Sequence, residues 1–195
     1  MSNEWDQYAE EWEQDEATHT FARSAFEQLT QITSIDGKHI LDFGCGTGLL
    51  SQLLNDQAKS IVALDASESM IEELDKKALN NVEPVVDVLS RGLAAQHPAF
   101  RKQFDLVIAS SVCSFLPNYQ DVMDIVFSIL ENGGYFVQWD WLSEEGSDSA
   151  YGMTKQRISS SLYSVGFNEV TVSEAFEIET KSGSRKVVMG VAYKD

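Results

Sequence analysis

The sequence predicts a doubly wound α/β fold: a mostly parallel sheet with helices on both faces and a C-terminal antiparallel β-hairpin. Three observations predict it. Short apolar runs at residues 38–43, 60–65, 84–88, 104–110 and 135–139 are largely continuous rather than alternating, as suits strands covered on both sides. Segments with apolar residues at helical spacing separate most of them. Residues 169–179 and 186–193 are joined through Lys181-Ser182-Gly183-Ser184, a hairpin pattern. The length, 195 residues, suits one domain with one sizeable core. Residues 1–36 form its helical N-terminal part and 37–195 its α/β core.

Residues 3–29 read as helical. Trp5, Tyr8 and Trp12 fall at i, i+3 and i+7, one helical face, and carboxylates occupy most of the rest. A second helical stretch from Thr20 carries Phe21, Ala25, Phe26 and Leu29, and Asp36-Gly37 ends it. The first strand runs into Gly44-Cys45-Gly46-Thr47-Gly48, and a helix over 48–55 follows. Glycines at every second position permit positive φ and close approach of a ligand, and the opening N–H groups of the helix add donors. The second strand ends in Asp65. Ser67 suits the cap of the next helix, with Met70, Ile71 and Leu74 facing inward. The third strand closes near Asp87, and a short helix within 89–102 breaks at His97-Pro98. The fourth strand ends at Ser110, a helix spans 121–130, and Gly133-Gly134 stops it before the fifth strand. A helix over 153–164 ends at Gly166, a good C′ glycine.

The net charge of −17 and pI near 4.4 repel phosphate backbones and anionic headgroups, which argues against nucleic acid or membrane as partner. No apolar run approaches the roughly 20 residues of a spanning helix, and the acidic N-terminus has no signal-peptide core. Cys45 and Cys113 form no disulfide or metal pattern, and no His/Cys cluster has ligand spacing. These features predict a cytoplasmic protein without a metal.

In doubly wound sheets ligands bind beyond the carboxyl ends of the strands, where strand order reverses. The glycine turn lies there, and so do Asp65, Asp87, Ser110 and Ser111. A carboxylate about 20 residues after the turn accepts hydrogen bonds from ribose hydroxyls. Asp42, two positions before the first glycine, disfavours a pyrophosphate.

These residues carry a resemblance. Leu41-Asp42-Phe43-Gly44-Cys45-Gly46-Thr47-Gly48 resembles the first motif of class I S-adenosylmethionine-dependent methyltransferases, apolar, acidic, apolar, then Gly-x-Gly-x-Gly. Leu64-Asp65-Ala66-Ser67-Glu68-Ser69-Met70 resembles the second motif, and Phe104-Asp105-Leu106-Val107 the fourth-strand motif. Leu130-Glu131-Asn132-Gly133-Gly134 resembles the turn before the fifth strand, with Asn132 in place of proline. Ser164-Val165-Gly166-Phe167 resembles the segment before the last hairpin.

The resemblance implies a seven-stranded sheet with the last strand antiparallel, S-adenosylmethionine as methyl donor and S-adenosylhomocysteine as product. It implies that Gly44, Cys45 and Gly46 line the methionine end of the donor, with Asp42 shaping the turn. It assigns Asp65 to the ribose, Ala66 and Met70 to the adenine ring, and Asp87 and the Val88 N–H to the adenine edge. Ser110 lies beside the methionine moiety, and the N-terminal helix acts as a lid from which Tyr8 reaches the donor. A pair of histidines common in relatives after the fourth strand is replaced by Ser114 and Phe115, so a histidine base there is not expected. Asp140 is the acid/base candidate. Trp5, Trp12, Phe115, Trp139 and Trp141 are expected to line the pocket of a small-molecule acceptor. The alternatives are a non-catalytic donor-binding sensor or partner subunit, and a nucleotide-dependent oxidoreductase, which the glycine spacing disfavours.

Overall fold

The structure is a computed structural model and describes residues 3–144 and 152–195. Seven strands form one sheet in the order β3-β2-β1-β4-β5-β7-β6. They are β1 (His39–Phe43), β2 (Ser60–Asp65), β3 (Val82–Val86), β4 (Phe104–Ser110), β5 (Leu130–Trp141), β6 (Glu169–Thr180) and β7 (Gly183–Tyr193). The first five are parallel, and β7 runs antiparallel between β5 and β6. Strand order reverses between β1 and β4, so the segments after these two strands meet at one point of the rim.

Alternate residues of each buried strand feed opposite faces of the sheet. Leu41, Phe43, Val62, Leu64, Val107 and Phe136 pack with the buried sides of α5 (Arg91–Gln96), α6 (Tyr119–Ile129) and α7 (Lys155–Val165). Ile40, Ile61, Leu106, Ile108 and Val137 pack on the other face with α2 (Glu16–Ile32) and α3 (Leu49–Leu54). Ala63 meets Ile71 and Leu74 of α4 (Glu68–Asp75). Several expected signals operate as read. The Ser67 hydroxyl accepts from the Met70 N–H at 3.2 Å and caps α4, and Gly166 ends α7 at φ 115°.

Three expectations need correction. The helical face of Trp5, Tyr8 and Trp12 is not on a continuous α-helix, and the second helix starts before Thr20: α1 (Asn3–Asp6) breaks at a turn, a 3-10 segment covers Ala9–Gln14, and α2 starts where the Asp15 carboxylate caps the Ala17 N–H. Glutamates crowded at helical neighbour spacing, with no cation before Arg23, disfavour a continuous helix here. Strand β3 lies two residues earlier than 84–88. Gly133-Gly134 do not stop α6. It ends at Ile129, β5 begins at once, and the glycines shape a register shift within that strand. Gly133 has φ 83° there and donates to the Lys194 carbonyl at 2.6 Å, and Lys194 Nζ caps the Phe127 and Leu130 carbonyls at 2.8 and 2.6 Å.

Candidate functional site

The turn after β1 is held by its own backbone. Gly44 and Cys45 donate to the Leu64 carbonyl at 2.8 and 3.1 Å, and Gly46 donates to Asp65 Oδ2 at 2.8 Å. At Gly44, Cys45 and Gly46 the turn therefore contributes shape, its N–H groups being already engaged. The three glycines also differ. A Cβ at Gly44 would overlap Val112, and one at Gly48 would overlap Leu74. At Gly46 the nearest atom is Trp12 Nε1 at 3.8 Å, so this glycine faces the rim.

Asp65 accepts one backbone hydrogen bond on each oxygen, from Ser67 at 2.9 Å and Gly46 at 2.8 Å. Each carboxylate oxygen keeps a second lone pair, which leaves capacity for a diol. Burial pushes its pKa up against those two bonds. Asp42 is buried, accepts from Ser51 Oγ at 2.6 Å through Oδ2, and has no partner for Oδ1. Burial lifts its pKa to about 6, with the Asp65 charge adding to the rise. An unpartnered buried carboxylate oxygen below the glycine turn suits an ammonium group brought by a ligand.

Beside this core of the site the expected adenine contacts are arranged differently. Ala66 is half-buried, but Met70 is buried as part of the inward face of α4. Asp87 is exposed, and its Oδ1 already accepts the Val88 N–H at 2.7 Å. Val86 and Val88 stand 47% and 55% exposed at this edge and form its apolar border.

After β4, Ser110 is half-buried, and Ser111 takes φ 57° while donating to the Trp139 carbonyl at 2.7 Å. A non-glycine residue in this region is uncommon, and it turns the chain over the rim. The 3-10 turn Cys113–Phe115 is pinned from below. Asp140 Oδ1 accepts the Ser114 N–H at 2.9 Å, and Oδ2 accepts from Gln138 Nε2 at 3.0 Å. Gln138 Oε1 in turn accepts from the Tyr119 hydroxyl. Asp140 is fully buried, which pushes its pKa up to about 7. It sits under the loop and has no exposed surface from which to meet an acceptor.

The N-terminal segment lies across the rim. Trp5 makes edge contacts with Phe115 at 4.9 Å and Trp12 at 6.0 Å, and Tyr8 is tilted against it at 6.2 Å. Tyr8 is 50% exposed. Two carboxylates fasten the segment. Asp6 accepts from Ser67 Oγ at 2.5 Å, and Glu13 accepts from Thr47 Oγ1 at 2.6 Å and pairs with Lys77 at 2.6 Å. A cavity of about 220 Å³ lies beside these contacts, lined in part by Ala9, Glu13, Thr47 and Lys77. Asp6, Glu13, Thr47 and Lys77 escaped the sequence reading. Helical periodicity points to the aromatic face and treats acidic residues as solvated; only the pairing of a distant lysine reveals Glu13.

The five expected pocket aromatics divide. Trp5, Trp12 and Phe115 come together. Trp139 is instead fully buried in the core, because odd positions of β5 face α2. Trp141 packs against Phe21 at 5.4 Å with the Arg185 guanidinium 4.3 Å above its ring, so its ring is engaged by the scaffold.

A methyltransferase domain family matches residues 41–136. The cypemycin N-terminal methyltransferase of a Streptomyces species is 36% identical over 87 residues, 45% of this chain and 34% of that protein. A ubiquinone biosynthesis O-methyltransferase of Pseudomonas entomophila is 29% identical over 108 residues, 54% of this chain and 45% of that protein. The DhpI–SAH complex superposes with a TM-score of 0.75 at 20% identity, covering 98% of this chain and 94% of that one.

Residues 41–136 match a methyltransferase domain, and the chain's likeness throughout is to class I S-adenosylmethionine-dependent methyltransferases.

The chain has the seven-stranded sheet with a C-terminal antiparallel hairpin that the resemblance implies. The chain spans less than half the length of the curated relatives above. Among the described residues no helix is long and apolar enough to cross a membrane.

Proposed function

We propose that this protein binds S-adenosylmethionine at the rim between β1, β2 and β4 and transfers its methyl group to a small-molecule acceptor. The observation that carries the reading is the pairing of Asp65 with the glycine turn above the unpartnered Asp42 oxygen. A ribose diol and an ammonium group are what two such carboxylates accept, and a donor with both reaches from one to the other. When bound, S-adenosylmethionine supplies a methyl group already activated by a sulfonium charge. What is left to the protein is orientation and the exclusion of water. The segment carrying Trp5 and Trp12 serves as the lid, and Phe115 is the surface against which it closes. Asp140 acts by holding the Ser114 backbone, not as a base. The relatives include an N-terminal methyltransferase and an O-methyltransferase, which leaves the acceptor atom open.

Calorimetry with S-adenosylhomocysteine tests the site. Asp65→Ala is expected to weaken binding well over tenfold, the loss of a hydrogen bond to a charged group. Asp65→Asn keeps an acceptor for the Gly46 N–H and is expected to lose less. Equal affinities for all three proteins would remove Asp65 from the site. Transfer of a labelled methyl group to some acceptor separates an enzyme from a donor-binding sensor, which would bind without turnover.

A further inference from the structure

The segments that meet over the strand ends have a charge pattern that composition does not explain. The chain holds 14 lysines and arginines, yet residues 3–22, 110–121 and 139–144 contain none. Ten of the 31 carboxylates lie in these same segments. The cations brought near by other elements are engaged. Lys77 is paired with Glu13, Lys76 with Glu73, and Arg157 lies 5.4 Å from the centre of the Tyr119 ring. An anionic acceptor therefore finds no unengaged cation among the described residues of this rim. It meets instead the field of Asp6, Glu10 and Glu13 on the lid and Asp65 below. The apolar part of the rim is aromatic. Trp5, Trp12 and Phe115 meet edge to face beside Gly46. Aromatic rings backed by carboxylates, without cations, attract ammonium groups through the ring quadrupole and through charge.

Building on the donor-binding reading above, we propose that the acceptor is a small amine, bound as its cation against Trp5 and Phe115 and methylated on nitrogen. The ammonium first gives its proton to solvent water. The nitrogen lone pair then forms the new N–C bond as the S–C bond of the donor breaks. The donor's sulfonium becomes a neutral thioether, and the positive charge passes to the methylated ammonium product. That product stays cationic, so the same rings and carboxylates hold it until the lid opens.

Choline and its neutral isostere 3,3-dimethylbutan-1-ol, with 3,3-dimethylbutanoate as the anion, probe the rim without turnover. Each is titrated into the protein saturated with S-adenosylhomocysteine, read by calorimetry and by tryptophan fluorescence. Choline is expected to bind at least about tenfold tighter than the isostere, weakening as salt rises, with no binding of the anion. Trp5→Leu is expected to abolish the preference, with thermal unfolding reporting that the variant is folded. Equal or tighter binding of the isostere or the anion, or no binding of choline, overturns the proposal. Failure of S-adenosylhomocysteine itself to bind overturns the donor reading instead.

Discussion

At Gly44 a Cβ would overlap the side chain of Val112, and the φ of 68° lies where L side chains rarely go. Gly44→Ala combines about 1–2 kcal/mol for the left-handed backbone with about 1–3 kcal/mol for overpacking. For a chain of this size the expected loss is roughly 10 °C in Tm, read by thermal unfolding. At Gly46 only the backbone cost applies, because the space beyond it is open except for Trp12. Gly46→Ala is expected to cost roughly 2–8 °C but to weaken donor binding by more than that loss of stability implies. If instead Gly46→Ala bound S-adenosylhomocysteine with wild-type affinity, the donor would not pass over this glycine. The motif thus divides its labour: two glycines make room for protein, and the third leaves space open at the rim.

Among elements, the N-terminal segment depends on a few polar contacts at its edges. Glu13 ties it to the glycine turn through Thr47 and to the end of α4 through Lys77. The pair with Lys77 and the Thr47 hydroxyl outweigh burial and hold the Glu13 carboxyl below the usual range. Glu13→Gln keeps an acceptor for Thr47 and loses the ion pair. Association and dissociation of the donor are both expected to quicken about fivefold, close to 1 kcal/mol of lid closure, as followed by stopped-flow tryptophan fluorescence. Glu16→Gln removes an exposed pair with Arg23 and is expected to leave both rates unchanged. Wild-type rates in Glu13→Gln would deny it the role of latch. The sheet was far more legible than this segment. Apolar runs fix buried strands because burial is a property of each residue, so β2 and β4 match their expected limits. Caps are equally local, hence Ser67 and Gly166. Latches are not: Glu13 finds Thr47 34 positions away, and no periodicity encodes that. The face of a strand residue depends on register, and register misassigned Trp139 to the pocket when its indole packs under α2.

On the scale of the molecule, three strands bring carboxylates to the rim, Asp42 on β1 and Asp140 on β5 buried and Asp65 on β2 half-buried. All three have raised pKa values, with burial the largest cause, and the values for Asp42 and Asp140 are about 6 and about 7. In the unfolded chain each titrates near 3.8. Between about 3.8 and 7 the native state then holds more protons than the unfolded one, so stability falls as pH rises through that window and levels off above it. The mutual repulsion of a chain with net charge −17 works in the same direction. Glu13, held low, contributes with the opposite sign at lower pH. The free protein is therefore expected to be more stable near pH 5 than near pH 8, by on the order of a few kcal/mol. Asp140→Asn separates the buried groups from the general charge: it preserves an acceptor for Ser114 while removing the titration. Its Tm is expected to change less between pH 5 and 8 than that of wild type, whereas an exposed substitution such as Glu131→Gln leaves the slope as it was. Donor binding supplies a second check, because an ammonium beside Asp42 stabilises its charged form. Saturation with S-adenosylhomocysteine is then expected to raise Tm more at pH 8 than at pH 5. A larger rise at pH 5 would mean that Asp42 does not face the ammonium, and the turn above it would need another ligand.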